Sequence, residues 1–284
     1  MATLLKGPEV TAALNAKLVK QTAELKAAGI YPTMAMLRVG EREEDISYER
    51  GAVKRCQHIG VAIRQYVLPL DSTQETMLAV IQGLNADPTV HGVLIFRPLP
   101  QHMDDAVIRN ALHPSKDLDG ISNASLSSVF SGISTGFPPC TAQACLEIID
   151  YYGIELKGRR VAVIGRSLVV GKPVSMMLLD RDATVTICHR NTENLPAICR
   201  EAEVLIVAAG QAGVVDKSYL APGQTVIDVG IHPDASGKIS GDVIFEEADP
   251  LVRAITPVPG GVGAVTTTVL IKHLIEAARR KLKQ

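Results

Sequence analysis

Short apolar runs alternating with longer amphipathic stretches predict an α/β fold of two domains built on parallel sheets. Length points the same way, because 284 residues exceed the usual single domain. The second half adds a buried strand that runs into a glycine turn with a helix beyond it, the corner on which nucleotide-binding units are built.

Each element has its own signal. In the first half, residues 33–39, 62–68 and 92–96 read as strands, the last running into the rigid segment Arg97-Pro98-Leu99-Pro100. Helices are predicted between them at about 47–58 and 73–85. The opening stretch MATLLKGPEVTAALNAKL lacks a long apolar core with a small-residue cleavage site, so it reads as a first amphipathic helix. After Pro138-Pro139 a helix over about 142–152 leads into strands at 160–164, 184–188, 204–208 and 225–229. A helix over 266–282, rich in Leu, Ile, Ala, Lys and Arg, closes the chain. No internal repeat or low-complexity tract interrupts the pattern.

Composition narrows the function classes. A net charge of −1 gives no support for a nucleic-acid or anionic-membrane partner. Aromatic residues are only 4% and tryptophan is absent, which argues against base-stacking platforms. No run approaches the roughly 18 apolar residues that a membrane span needs. Five scattered cysteines, none in a CxxC pair, suggest reduced thiols in a cytoplasmic protein and neither a disulfide framework nor a metal site.

The segment Arg160-Val-Ala-Val-Ile-Gly165-Arg166-Ser167-Leu-Val-Val170-Gly171-Lys-Pro173 carries the nucleotide signal. Pro173 sits where a helix would begin, since proline's missing N–H has no intrahelical partner in the first turn. Free amides and the helix's positive end would then face a pyrophosphate. The spacing departs from GxGxxG, with Ser167 at the middle glycine and Gly171 one residue late. The next strand ends in Cys188-His189-Arg190-Asn191-Thr192, without the carboxylate that holds ribose hydroxyls in NAD sites. Arg190, helped by Arg166, suits a 2′-phosphate instead, so NADP is preferred over NAD. Ala208-Ala209-Gly210, Asp228-Val-Gly230-Ile231 and Thr256-Pro-Val-Pro259-Gly260-Gly261-Val-Gly263 follow at strand ends, where backbone can approach a ligand closely.

Together with His113-Pro-x-Lys-Asp-x-Asp119-Gly and Pro139-Cys-Thr141, these motifs resemble the methylenetetrahydrofolate dehydrogenase/cyclohydrolase family over essentially the whole chain. The resemblance implies a folate-binding domain over residues 1–140, completed by the terminal helix at 265–284. It implies a Rossmann-like NADP domain over 141–264, a tetrahydrofolate one-carbon derivative as substrate, and a homodimer. Carried over residue by residue, it assigns Tyr48 and Asp119 to catalysis and, with Phe96, Pro98, Leu99, Pro259, Gly260 and Gly261, to substrate binding. Thr141, Gly165, Arg166, Ser167, Val170, Gly171, Pro173, His189, Arg190, Ala208, Ala209, Gly210, Asp228, Gly230 and Ile231 would hold the cofactor. His113 and Cys140 read as structural.

The family pattern breaks at two catalytic positions. Its lysine, four residues after the tyrosine, is Ala52 here, and the glutamine after the third strand is Phe96. Lys54 is close in sequence but about 200° away around a helix. Hydride loss from the methylene carbon chiefly needs alignment, because the adjacent nitrogen lone pair stabilises the cation formed. Hydrolysis of the methenyl product needs proton transfers, typically worth about 10²–10⁴-fold. The reading is therefore a dehydrogenase whose cyclohydrolase activity is weak or lost. Three alternatives stay open: both activities retained, with Lys54 or a water moving the proton; a non-catalytic folate- or nucleotide-binding regulator; and a dehydrogenase with a changed substrate.

Overall fold

The structure, a computed structural model, describes residues 1–133 and 135–283. The chain begins with β1 (Thr3–Leu4), α1 (Gly7–Ala27), β2 (Thr33–Val39), α2 (Glu43–Ile59), β3 (Ala62–Leu68), α3 (Gln74–Ala86), β4 (Gly92–Ile95), α4 (Asp105–Ala111) and α5 (Asn123–Ser131). It continues through α6 (Cys140–Tyr151), β5 (Arg160–Ile164), α7 (Gly171–Leu179), β6 (Thr184–Cys188), α8 (Leu195–Glu201), β7 (Val204–Val207) and β8 (Thr225–Asp228). A hairpin of β9 (His232–Pro233) and β10 (Ile239–Ser240), then α9 (Phe245–Ala248), β11 (Ala254–Ile255) and α10 (Thr266–Arg280) complete it.

The chain divides into two compact units. The N-terminal unit comprises Ala13–Cys140 and Thr267–Gln284, of which Gln284 lies outside the described residues. Its parallel sheet has the order β3-β2-β4. Central β2 is buried almost throughout, which explains why TMAMLRV reads as a continuous apolar run, whereas edge strand β3 alternates. Helix α2 starts four residues before the predicted 47, because Glu43, Glu44 and Asp45 are stabilised at a helix N-terminus although they carry no apolar period. It stops at Gly60, whose φ of 86° closes the helix in the left-handed region. β4 ends at Ile95, although Phe96 still donates its amide to the Leu37 carbonyl at 2.9 Å. Helix α10 ends at Arg280, short of the predicted 282, and tightens into a 3₁₀ turn.

The glycine-rich unit comprises Met1–Ala12 and Thr141–Thr266, with the sheet order β1-β11-β8-β7-β5-β6, all parallel. Leu205, Val207, Val226 and Ile255 anchor its core with Ala162 and Ile164. The opening residues are not all helical: Thr3 and Leu4 pair with Ala254 and Ile255, and α1 begins only at Gly7. That pairing explains why residues 1–12 pack with the glycine-rich unit while the rest of α1 belongs to the other.

Candidate active site

In the N-terminal unit, α2 presents Tyr48 beside Phe96, with ring centroids 6.1 Å apart and planes at 83°. This edge-to-face arrangement suits the ring quadrupoles. The Tyr48 side chain keeps 42% of its surface open, yet its hydroxyl is tucked against Thr267 of α10. Desolvation raises the phenol's pKa, opposed by the Thr267 hydrogen bond. Ala52, one turn on, is buried at 1% exposure, and Phe96 at 7%. Lys54 instead lines a separate concavity with Arg38, Glu49, Gln57 and Gln65, as its rotation around the helix requires. The cation whose charge reaches Tyr48 is Arg55, which donates to Thr268 Oγ1 at 2.5 Å.

Asp119 faces the same cluster. The Cys140 thiol beside it donates to the Leu118 carbonyl at 3.3 Å. Burial pushes the Asp119 pKa up to about 6 against the polar influence of Cys140; neighbouring Asp117 adds to the rise and Arg97 opposes it. The turn-capping role that a Lys-Asp-x-Asp-Gly segment suggests falls to Asp117, which accepts from Ile121 N (3.1 Å), Ser122 N (2.8 Å) and Ser125 Oγ (2.7 Å). His273 Nδ1 donates to the Leu118 carbonyl at 2.8 Å, and burial lowers that ring's pKa to about 4. His113 caps the turn after it, with its ring accepting from Ser115 N at 3.3 Å. Arg97 is held by Asp105 in a two-point pair at 2.6 and 2.7 Å, and the Arg97–Pro98 peptide is cis.

In the glycine-rich unit, β5 turns into α7 through Gly165, at φ 127°. A Cβ on Gly165 would meet the Ala208 carbonyl, and one on Gly171 would meet that of Gly165. The two glycines therefore let three backbone segments touch, and a Cβ at either would fill that space. Helix α7 begins at Gly171, so Pro173 is its third residue and still within the first turn. Ser167 Oγ accepts from Val170 N at 3.1 Å, drawing the turn together. Arg166 and Arg190 are exposed, and neither forms an ion pair among the described residues. His189 and Thr192 close the turn after β6, with Thr192 Oγ1 accepting from His189 N at 2.9 Å.

One concavity of about 290 Å³ in this unit brings Asp228, Gly230 and Ile231 together with Pro259, Gly260 and Gly261. The Asp228 carboxylate itself accepts from Gly230 N, Asp242 N and Val243 N at 2.9–3.1 Å. Burial raises its pKa to about 6. Sequence reasoning missed several residues here. The start of α1 holds the glycine-rich segment, with Gly7 N donating to the Gly260 carbonyl at 2.8 Å and Thr11 Oγ1 to that of Ala264 at 3.0 Å. Asp242 gathers the amides of Ala209, Gly210 and Gln211. Thr267, Arg55 and Asp242 belong to no local motif, so only three-dimensional packing reveals them. Thr141 opens the unit on α6, half-buried.

A family model described as the tetrahydrofolate dehydrogenase/cyclohydrolase catalytic domain matches residues 5–119. The NAD(P)-binding domain model of that family matches residues 139–282. The chain is 48% identical over 279 residues to a bifunctional protein FolD from Carboxydothermus hydrogenoformans, covering 98% of this chain and 97% of that one. A crystal structure of the FolD dehydrogenase/cyclohydrolase from Campylobacter jejuni superposes with a TM-score of 0.95 at 36% identity, covering 99% and 100% of the two chains. The Trypanosoma brucei dehydrogenase-cyclohydrolase, solved with NADP and an inhibitor, gives a TM-score of 0.91 at 31% identity, over 100% and 99%. Among the described residues, no helix is long and apolar enough to cross a membrane.

Proposed function

We propose, on the premise that this chain belongs to the tetrahydrofolate dehydrogenase/cyclohydrolase family, that it is an NADP-dependent 5,10-methylenetetrahydrofolate dehydrogenase that hydrolyses its methenyl product slowly. The carrying observation is the cluster around Tyr48: where proton-transfer chemistry needs a lysine and a glutamine, it has buried Ala52 and Phe96. Arg55 is the nearby cation, but a guanidinium stays protonated at every working pH and cannot shuttle a proton. Lys54 lines another surface.

The residues present fit the cofactor. The glycine turn at Gly165 and Gly171 is closed to any Cβ, and the positive end of α7 follows it, which favours a pyrophosphate there. Arg190 and Arg166, which form no ion pair among the described residues, would hold the 2′-phosphate. When bound, NADP⁺ supplies the hydride acceptor. The chain's own part is alignment: Asp119 accepts from the amino-pyrimidine edge of the pterin, while Tyr48 and Phe96 flank the ring system. Phe96 and Ala52 also keep the neighbourhood of the carbon apolar where the family's lysine and glutamine would stand.

The relatives named as bifunctional favour a second reading, in which hydrolysis persists through an ordered water. One assay separates the two. Purified protein, 5,10-methylenetetrahydrofolate and NADP⁺ are mixed, and reduced cofactor and methenyl absorbance are followed together. Methenyl product accumulating in step with NADPH, and decaying no faster than in enzyme-free buffer, is expected. NADPH without methenyl build-up overturns slow hydrolysis and establishes the bifunctional reading. The double variant Ala52→Lys, Phe96→Gln is expected to hydrolyse about 10²-fold faster or more than the natural chain; no gain would count against these two positions. We also infer a cytoplasmic homodimer. Its support is the five buried unpaired cysteines and edge strand β3, whose seven residues pair only with β2 among the described residues. Light scattering on the purified chain tests the dimer.

A further inference from the structure

Asp242 is fully buried, and three consecutive backbone amides converge on its carboxylate. Ala209 N and Gly210 N donate to Oδ2 at 2.6 and 3.1 Å, and Gln211 N donates to Oδ1 at 3.0 Å. His232 Nε2 donates to the same Oδ1 at 2.6 Å. The amide of Asp242 in turn donates to Asp228 Oδ1 at 3.1 Å, at the end of β8. One residue thus ties the loop after β7, the end of β8 and the β9–β10 hairpin into a single piece.

Successive amides in a turn make a concave anion site. In the loop after β7 the anion is the protein's own carboxylate, so those amides are committed and a cofactor phosphate has to use the Gly165–Gly171 turn. The sheet order then separates the halves of a dinucleotide. Strand β6, whose end carries Arg190, lies on one side of β5, and β7 and β8 lie on the other. An adenosine 2′-phosphate directed to Arg190 leaves the second ribose and its base to the loops after β7 and β8.

We propose that Asp242, supported by His232, is a positioning residue for the nicotinamide half of NADP: it acts through the backbone shape of residues 208–211 and makes no contact with phosphate. The inference rests on the glycine-rich unit's being the NADP site, which the same experiment checks separately. Titration of NADPH by its fluorescence, and of adenosine 2′,5′-bisphosphate by calorimetry, needs no catalysis. Natural protein that binds neither probe would refute the cofactor site itself. For Asp242→Asn, whose amide nitrogen repels the donors now accepted, NADPH affinity is expected to fall by at least about tenfold. The affinity for adenosine 2′,5′-bisphosphate is expected to stay within about twofold. Equal weakening of both probes, or no change in either, overturns the proposal. His232→Ala is the milder second variant, expected to weaken NADPH alone by about threefold, with His232→Gln, which keeps an N–H donor at the same reach, returning it towards the natural value. If Asp242→Asn does not fold, this pair decides by the same two outcomes.

Discussion

Asp119 carries a pKa of about 6 because its carboxylate is desolvated, and the thiol and amide of Cys140 only partly offset that cost. In the proposed role Asp119 accepts hydrogen bonds from the pterin in its ionised form, so substrate affinity should be full above about pH 6 and fall as pH drops through it. A KM for methylenetetrahydrofolate measured from pH 5 to 8 is expected to rise at the acid end, with kcat less affected. A flat KM would remove the carboxylate from recognition. Asp119→Asn should raise KM at all pH values by the equivalent of about 1.5–3 kcal/mol, the usual worth of a hydrogen bond to a charged group. In the free enzyme the sign for stability is opposite to the usual aspartate case. A raised native pKa means the folded state holds more protons than the unfolded one between the ordinary carboxylate range and about 6, so this group's contribution falls as pH rises through that window. On the cofactor side, the proposed reader of the 2′-phosphate is Arg190. Arg190→Ala is expected to weaken NADPH by about tenfold or more while leaving NADH within about twofold; equal losses for both would mean that it reads no 2′-phosphate.

Two elements, one in each unit, position these clusters. Helix α10 buries Val269, Leu270, Ile271, Leu274 and Ile275, and places Thr267 on the Tyr48 hydroxyl and Thr268 on Arg55. Leu274→Ala, at a position with no exposure, should therefore destabilise the protein by about 2–5 kcal/mol in urea unfolding. A change below about 1 kcal/mol would show that α10 is not integral to that core. The β5–α7 turn depends on backbone-to-backbone contact instead. Gly165→Ala forces a Cβ against the Ala208 carbonyl at a φ of 127°, so it should cost NADPH affinity together with thermal stability. Loss of affinity alone, with the melting temperature unchanged, would mean that the turn relaxes without strain.

At the scale of the whole molecule, each unit has its own parallel sheet and apolar core, with residues 1–12 and 267–284 returning to the unit that sequence order would not assign them. Ligand binding should therefore register by unit. At 100 times its Kd, NADPH adds about 2.7 kcal/mol to whatever unfolding it opposes. Hydrogen exchange with NADPH present is expected to slow in Thr141–Thr266 and in β1 well before Ala13–Cys140. Uniform slowing would mean that the two units open as one.

The sequence by itself determined the strands, because a central strand of a parallel sheet must be apolar on both faces and an edge strand on the face that packs against the core. The runs at 33–39, 62–68, 160–164 and 184–188 end where the ladders do. The glycine corner between β5 and α7 was equally legible, because a tight turn between a buried strand and a helix is a local feature. Sequence alone placed α2 too late and gave residues 3 and 4 to a helix, since acidic first turns and two-residue strands have no period to read. Only the tertiary structure decided that Asp117, not Asp119, caps the backbone of the Lys-Asp-x-Asp-Gly turn. It alone showed that Lys54 faces away from Tyr48 while Arg55 faces it, and that Asp242 gathers amides 31 to 33 residues distant. Those outcomes rest on contacts between segments far apart in the chain, and a hydrogen bond across such a separation leaves no mark in local pattern or spacing.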